Sequence, residues 1–326
     1  MKTPSGYRYA STYAGIRQAP KDDLALIVSD TVAAAAGMFT TNRVQAAPVR
    51  LGRKHLARSG GYAQAILVNA GNANCATRNG DRVALLCCRA VAQALRIPVH
   101  HVLPASTGVI GVEMDHRPIV AQIPHLVASL SAERLPDVAK AIMTTDTRPK
   151  IAATEFCVGR GTVRIAGVTK GAGMIHPKMA TTLAFVMTDA ALTPVELYAA
   201  LVPAVEASYH RLTIDGDTST NDTVYLLANG SSGVRVTGRL RKTFTQALTE
   251  VLEDLACQIA RDGEGARKLI VIDVEGTRTD GEAAQLARAI ANSPLVKTAI
   301  AGADPNWGRV LAAAGYAGVP FDPARA

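Results

Sequence analysis

The chain has 326 residues, of which 48% are hydrophobic and only 4% aromatic, so a large core of Ala, Val, Leu and Ile is expected, in one large domain or two ordinary ones. The net charge of +8 is spread along the chain with no aromatic–basic platform or recognition motif, which argues against a nucleic-acid partner and suits an acidic small-molecule substrate instead. No apolar run reaches the length of a membrane span and no apolar signal region opens the chain, so a cytoplasmic protein without membrane contact is expected.

In chain order, strands are expected over Asp23–Val28 and Ala63–Val68, a long helix over Asp81–Leu95, and a short strand over Val102–Ser106 that leads into Thr107-Gly108. Helical patterns follow near Pro118–Leu130 and Leu135–Met143. Ile151–Cys157 and Thr162–Val168, flanking Val158-Gly159-Arg160-Gly161, read as a β-hairpin. Thr182–Met187 reads as a buried strand, and a helix starts at Thr193-Pro194, where Thr caps and Pro takes the first turn. Strands are expected again at Thr223–Leu227, Leu269–Val274 and Thr298–Ala301, and helices at Phe244–Arg261, Gly281–Ile290 and Trp307–Ala314. The pattern is mixed α/β, with no repeat, no low-complexity tract and no linker that would mark an independent domain boundary. The five cysteines are odd in number and lack metal-ligand spacing, and the seven His form no ligand pattern, so reduced, mostly buried thiols and no metal are expected.

Chemistry concentrates in a few polar segments between the apolar ones. Lys170-Gly171-Ala172-Gly173 opens a stretch that passes Pro177 and ends in Ala180-Thr181 before an apolar run. Taken alone it is a loop-to-strand transition. A cut between Ala180 and Thr181 would give Thr181 a hydroxyl nucleophile and a free α-amine as its own general base. Pro104–Gly111 is a glycine turn that can also aim backbone N–H groups and a hydroxyl at developing negative charge. Met143–Lys150 is a turn by default, Lys170 a solvated cation, and Ala260–Ala266 a polar helix-terminating turn whose glycines leave Glu264 exposed. Tyr209–Thr223 is rich in Asp and hydroxyls but lacks the spacing of a Ca²⁺ loop, so it reads as a hydrogen-bonded structural loop near the site. In Asp304–Arg309, Asp304 or Asn306 is positioned to cap the following helix.

These segments, with Phe39–Arg43 and Asn69–Asn74, resemble in order those of the ornithine acetyltransferases, the ArgJ-type glutamate N-acetyltransferases, from near residue 7 to near residue 322. The resemblance implies an α/β sandwich of the DmpA-like type that cleaves itself between Ala180 and Thr181, giving chains 1–180 and 181–326 that stay packed together in a heterotetramer of two α and two β chains. It implies Thr181 as nucleophile, Thr107 and Gly108 as the oxyanion hole, and Thr147, Lys170, Thr181 and Glu264 as substrate contacts. The Tyr209–Thr223 and Asp304–Arg309 segments receive no catalytic role. Lys178 stands where Asn or another polar residue is common, and Thr182 where Met is common. Family members usually continue past Asp304–Arg309 into a strand and tail that close over the substrate, whereas this sequence ends at Ala326.

The implied activity is acetyl transfer from N2-acetyl-L-ornithine to L-glutamate in arginine biosynthesis, by a ping-pong route through acetyl-Thr181, without metal or organic cofactor. Use of acetyl-CoA as a co-substrate is left open. Two alternatives stand beside it: a related self-cleaving N-terminal-nucleophile aminopeptidase or amidohydrolase, and an inactive remnant that binds without turnover.

Overall fold

The computed structural model describes residues 2–176 and 182–325. Its centre is an eight-stranded sheet made of β1 (Tyr7–Thr12), β2 (Leu24–Phe39), β3 (Tyr62–Asn72), β4 (Val102–Val109), β5 (Lys150–Val158), β6 (Gly161–Lys170), β7 (Leu183–Thr188) and β8 (Thr223–Ala228). The strand order is β4-β3-β2-β8-β7-β6-β5, with β1 also paired to β2. The β3–β4 and β7–β8 pairs are parallel and the others antiparallel.

Strand β2 organises the sheet. Its first half pairs with β1 on one side and β3 on the other, while its second half pairs with β8 where β1 ends. The register against β3 shifts between Val28 and Ala33, the kind of irregularity that bends and twists a strand. The small residues Ala33-Ala34-Ala35-Ala36 follow it, and they leave room for packing on both faces.

Side-chain alternation then sorts the core into layers. Ala34, Ala36, Ala184, Val186, Val224 and Leu226 face α5 (Pro194–Ala207) and α6 (Leu240–Arg261). Their neighbours Ala33, Ala35, Phe185, Met187, Tyr225 and Leu227 face inward, against Ile27, Ile66, Val68 and Leu103 of the other sheet half and α4 (Leu135–Ala141). On the outside of that half, Leu24, Leu26, Leu67 and Val102 pack on α2 (Gly80–Leu95) and α3 (Arg117–Ala128). The result is a helix–sheet–sheet–helix sandwich, flanked by α1 (Ala47–Arg58), which lies near β4. Every residue of β7 and β8 is buried, which is why both read as unbroken apolar runs.

Most sequence-based elements are present. The Thr193 start of α5 is a full capping box, with Thr193 Oγ1 accepting from Glu196 N and Glu196 accepting from Thr193 N. Asn306 caps α9 (Trp307–Gly315). Two expected strands are corrected. Thr298–Ala301 lies in a helix, α8 (Pro294–Ala301), because Ser293 caps it and Pro294 occupies its first turn. Leu269–Val274 belongs to no strand, and Leu269, Ile270 and Val271 are exposed, because no neighbouring strand offers its backbone a ladder. Strand β1 and helix α1 were not foreseen; α1 has no acidic first turn and no side-chain cap, so it shows few start signals. Three of the five cysteines are buried, while Cys157 and Cys257 are exposed. Helix α7 (Asp280–Asn292) packs with α8 and α9 around Ile290, Val296 and Ala313. No helix among the described residues is long and apolar enough to cross a membrane.

Candidate active site

Strands β4, β6, β7 and β8 bring the predicted site residues to one end of the sandwich. Lys170, the last residue of β6, lies opposite Leu183, and Leu183 lies opposite Thr223 of β8. The residues that precede these strands are therefore neighbours. Thr223 N donates to Thr182 O at 2.9 Å, and Thr182 N donates to Asp222 Oδ1 at 2.9 Å. Ala180 and Thr181 lie outside the described residues, but the peptide bond fixes Thr181 next to Thr182, so Asp222 anchors the chain one residue from the expected nucleophile.

Thr107 and Gly108 end strand β4, opposite Ala70 and Gly71 of β3. Gly108 has φ of 130°, and a Cβ there would sit 2.3 Å from the carbonyl carbon of Gly71. Only glycine fits this approach of two backbones. The turn is tied to Asp222 through the adjacent residue: Asn221 Nδ2 donates to Ser106 O and to Ala73 O, both at 2.7 Å. The pair Asn221-Asp222 thus clamps the Thr107–Gly108 turn and the Thr182 amide to one another.

Behind the clamp, Thr40 N donates to Asp222 O, Thr40 Oγ1 to Ser219 O and Asn42 Nδ2 to Thr218 O. Asn69 Nδ2 donates to Ser106 Oγ at 2.6 Å. The Phe39–Arg43 and Asn69–Asn74 segments are therefore braces of the site, which no single-segment reading could assign.

The expected substrate contacts meet on the other side. Thr147 donates through N, at 3.0 Å, and through Oγ1 to the carboxylate of Asp262. Glu264, two residues later and exposed, donates its N–H to Ala172 O at 2.8 Å, and its carboxylate rests where a side chain of Gly173 would be. Lys170 is 2% exposed, and the carboxylates of Asp146, Asp222 and Glu264 act on its ammonium. Burial lowers its pKa, an effect opposed by Asp146 and Asp222. An enclosed cation is costly unless anions meet it, and a substrate carboxylate would add to these. Burial pushes the Asp222 carboxyl well above the usual range, against the pull of the Thr182 N–H and Lys170. No donor among the described residues reaches Asp222 Oδ2 or the Thr182 hydroxyl.

Thr147, Lys170 and Glu264 are thus gathered round one loop, and Thr107 and Gly108 are joined to it through Asn221, Asp222 and Thr182. The sequence placed Asn221 and Asp222 in a hydrogen-bonded structural loop near the site without singling out either, and it missed Asp146, Lys150 and Asp262. The signal for the first pair was a run of polar residues directly ahead of an apolar strand, the pattern of a buried hydrogen-bonding turn.

A family model described as the ArgJ family matches residues 8–326. The arginine biosynthesis bifunctional protein ArgJ of Nitratidesulfovibrio vulgaris is 48% identical over 323 residues, covering 98% of this chain and 81% of that protein. The crystal structure of the protein of the same name from Bacillus halodurans aligns with a TM-score of 0.51 and 35% identity, over 54% of this chain and 92% of that one. A Burkholderia sp. β-aminopeptidase shares the fold alone, with a TM-score of 0.50 and 11% identity over 98% of this chain and 94% of that one. By the extent of the family match and the identity to such relatives, this chain belongs to the ArgJ family.

Proposed function

We propose that this chain transfers an acetyl group from N2-acetyl-L-ornithine to L-glutamate in arginine biosynthesis, after cutting itself between Ala180 and Thr181. In the maturation step the Thr181 hydroxyl attacks the Ala180 carbonyl and the acyl group moves from nitrogen to oxygen. Water then hydrolyses the ester and leaves Thr181 with a free α-amine. In turnover the Thr181 hydroxyl attacks the acetyl carbonyl of the donor while the α-amine takes its proton. The Thr107 hydroxyl and the Gly108 N–H face the oxyanion of the tetrahedral intermediate. Collapse expels ornithine, whose amine takes the proton back. The glutamate amine then attacks acetyl-Thr181 by the same path in reverse. The scheme calls on no metal and no organic cofactor.

The observation that carries this reading is Lys170: a lysine 2% exposed at the end of β6, within one strand pair of Thr182, whose ammonium is in the field of Glu264, Asp146 and Asp222. A buried cation suits the α-carboxylate common to ornithine and glutamate, and the exposed Glu264 carboxylate suits the side-chain ammonium of ornithine. Thr147, fixed by Asp262, completes the contact set. The relatives are bifunctional in name, and the same assay run with acetyl-CoA in place of N-acetylornithine tests that second donor here.

The test is steady-state kinetics with both substrates varied. Parallel double-reciprocal lines and an inactive Thr181→Ala variant are expected. Intersecting lines, or hydrolysis of N-acetylornithine that glutamate does not suppress, would overturn the transfer mechanism.

A further inference from the structure

Four ionisable side chains lie buried behind the proposed carboxylate site, and one of them has no role in the chemistry described so far. Lys150, the first residue of β5, is 0% exposed. Its ammonium donates to Asp146 Oδ1 and to Asp262 Oδ2, both at 2.6 Å. Each of these carboxylates holds a different part of the site. Asp146 accepts from Gly171 N at 2.7 Å, next to Lys170, and from Thr144 N at 2.9 Å. Asp262 accepts from the N–H and hydroxyl of Thr147, two residues before Glu264, and Arg148 approaches it at 3.8 Å. One ammonium therefore fixes three segments, Asp146–Lys150, Lys170–Gly171 and Asp262–Glu264, which are far apart in sequence.

The charge count sharpens its role. Among these four side chains, the two carboxylates of Asp146 and Asp262 are matched by the two ammoniums of Lys150 and Lys170. Take away Lys150 and two carboxylates face one ammonium. Lys170 then pairs internally with Asp146, and the site carries a negative charge that repels a substrate carboxylate.

We propose that Lys150 is a positioning residue that satisfies Asp146 and Asp262 and so reserves Lys170 for the substrate's α-carboxylate. The inference rests on the functional reading above, and its test separates the two. Full-length matured protein is assayed with N-acetylornithine and with N-acetyl-1,4-diaminobutane, which lacks the carboxylate. The parent is expected to prefer the carboxylated donor by at least a hundredfold in kcat/KM. Lys150→Met is expected to raise KM for N-acetylornithine tenfold or more with a smaller change in kcat, and to compress the preference at least tenfold. Lys150→Arg, which keeps the charge, is expected to retain most of it.

The decisive variant is Lys150→Met combined with Asp146→Asn. It restores the charge balance, leaves an acceptor for Gly171 N, and is expected to recover preference over the single variant. A purely structural role predicts that the double variant is worse. A Lys150→Met enzyme that discriminates like the parent, or a double variant no better than the single one, overturns the proposal. If Lys150→Met does not fold, the charge-balanced double variant beside Lys150→Arg carries the comparison: a double variant that has lost the preference counts against it. If the parent transfers no acetyl group, the functional reading fails. Calorimetry of the same proteins with ornithine and 1,4-diaminobutane then still decides the role of Lys150.

Discussion

Asp222 shows how much one buried side chain settles at the residue scale. Its Oδ1 holds the amide that follows the expected nucleophile, and its backbone carbonyl is held by Thr40. The same burial makes the folded protein hold a proton on this carboxyl that the unfolded chain has lost above about pH 4. The sign follows from linkage: the pKa is raised in the folded state, so the stabilisation is complete below the unfolded value and fades as pH rises towards the folded one. Asp222→Asn keeps an acceptor for Thr182 N but cannot ionise. It is therefore expected to gain stability on the parent as pH rises from about 4 to 8. Urea denaturation of Thr181→Ala proteins, with and without Asp222→Asn, measures this without cleavage interfering. A difference that is flat in pH would show that Asp222 is ionised in the fold. Asp146 and Asp262 have the opposite sign. Burial acts upward on both, but for Asp146 the Lys170 and Lys150 ammoniums prevail, as Lys150 and Thr147 do for Asp262, and both pKa values end below normal. Their contribution is present above about pH 4 and is lost in acid.

At the scale of elements, local chemistry decided the helices better than the strands. Thr193 and Glu196 satisfy each other's backbone donors in a capping box, and Arg235 and Arg241 both reach the same Glu196 carboxylate. Thr193→Ala is expected to cost about 1 kcal/mol, the usual worth of a cap, seen as a lower denaturation midpoint with unchanged slope. A midpoint equal to the parent's would mean that packing on the sheet holds this end of α5 by itself. Such signals are local and were readable: Thr193, Asn306 and the hairpin residues around Gly159 all do what their types suggest. Strands depend on partners. Leu269–Val274 has strand composition, yet its residues find no ladder and stay outside the sheet, while Thr298–Ala301 was captured by the Ser293-Pro294 helix start. Composition states a preference for a pleated surface, and only the tertiary structure supplies one.

For the whole molecule, the layered core runs across the expected cut. Ala33, Ala35, Ile66 and Val168 precede it, Phe185, Met187, Tyr225 and Leu227 follow it, and all share one interior. Strand β7 pairs with β6 and strand β8 pairs with β2, so strand pairing also crosses the cut, in two ladders. The matured protein is expected to give two chains of 180 and 146 residues by mass under denaturing conditions, yet to migrate as one species on native size exclusion. Separation of the two pieces without denaturant would contradict a shared core.

The sequence by itself determined the alternation of apolar segments, most helix starts, the Gly-rich approach to Thr181 and the run of motifs that resemble one enzyme family. These are properties of neighbours in the chain, set by periodicity, capping and turn chemistry. What only the tertiary structure decided was the company of the buried charges. Lys150 reads in sequence as the last residue of a turn, and Asp222 as part of a polar loop. A buried charge is tolerated only where partners meet it, and those partners come from segments more than a hundred residues apart in the Lys150–Asp262 case. No local rule contains that information, because the desolvation cost and the compensating bonds exist only once the sheet has brought the segments together.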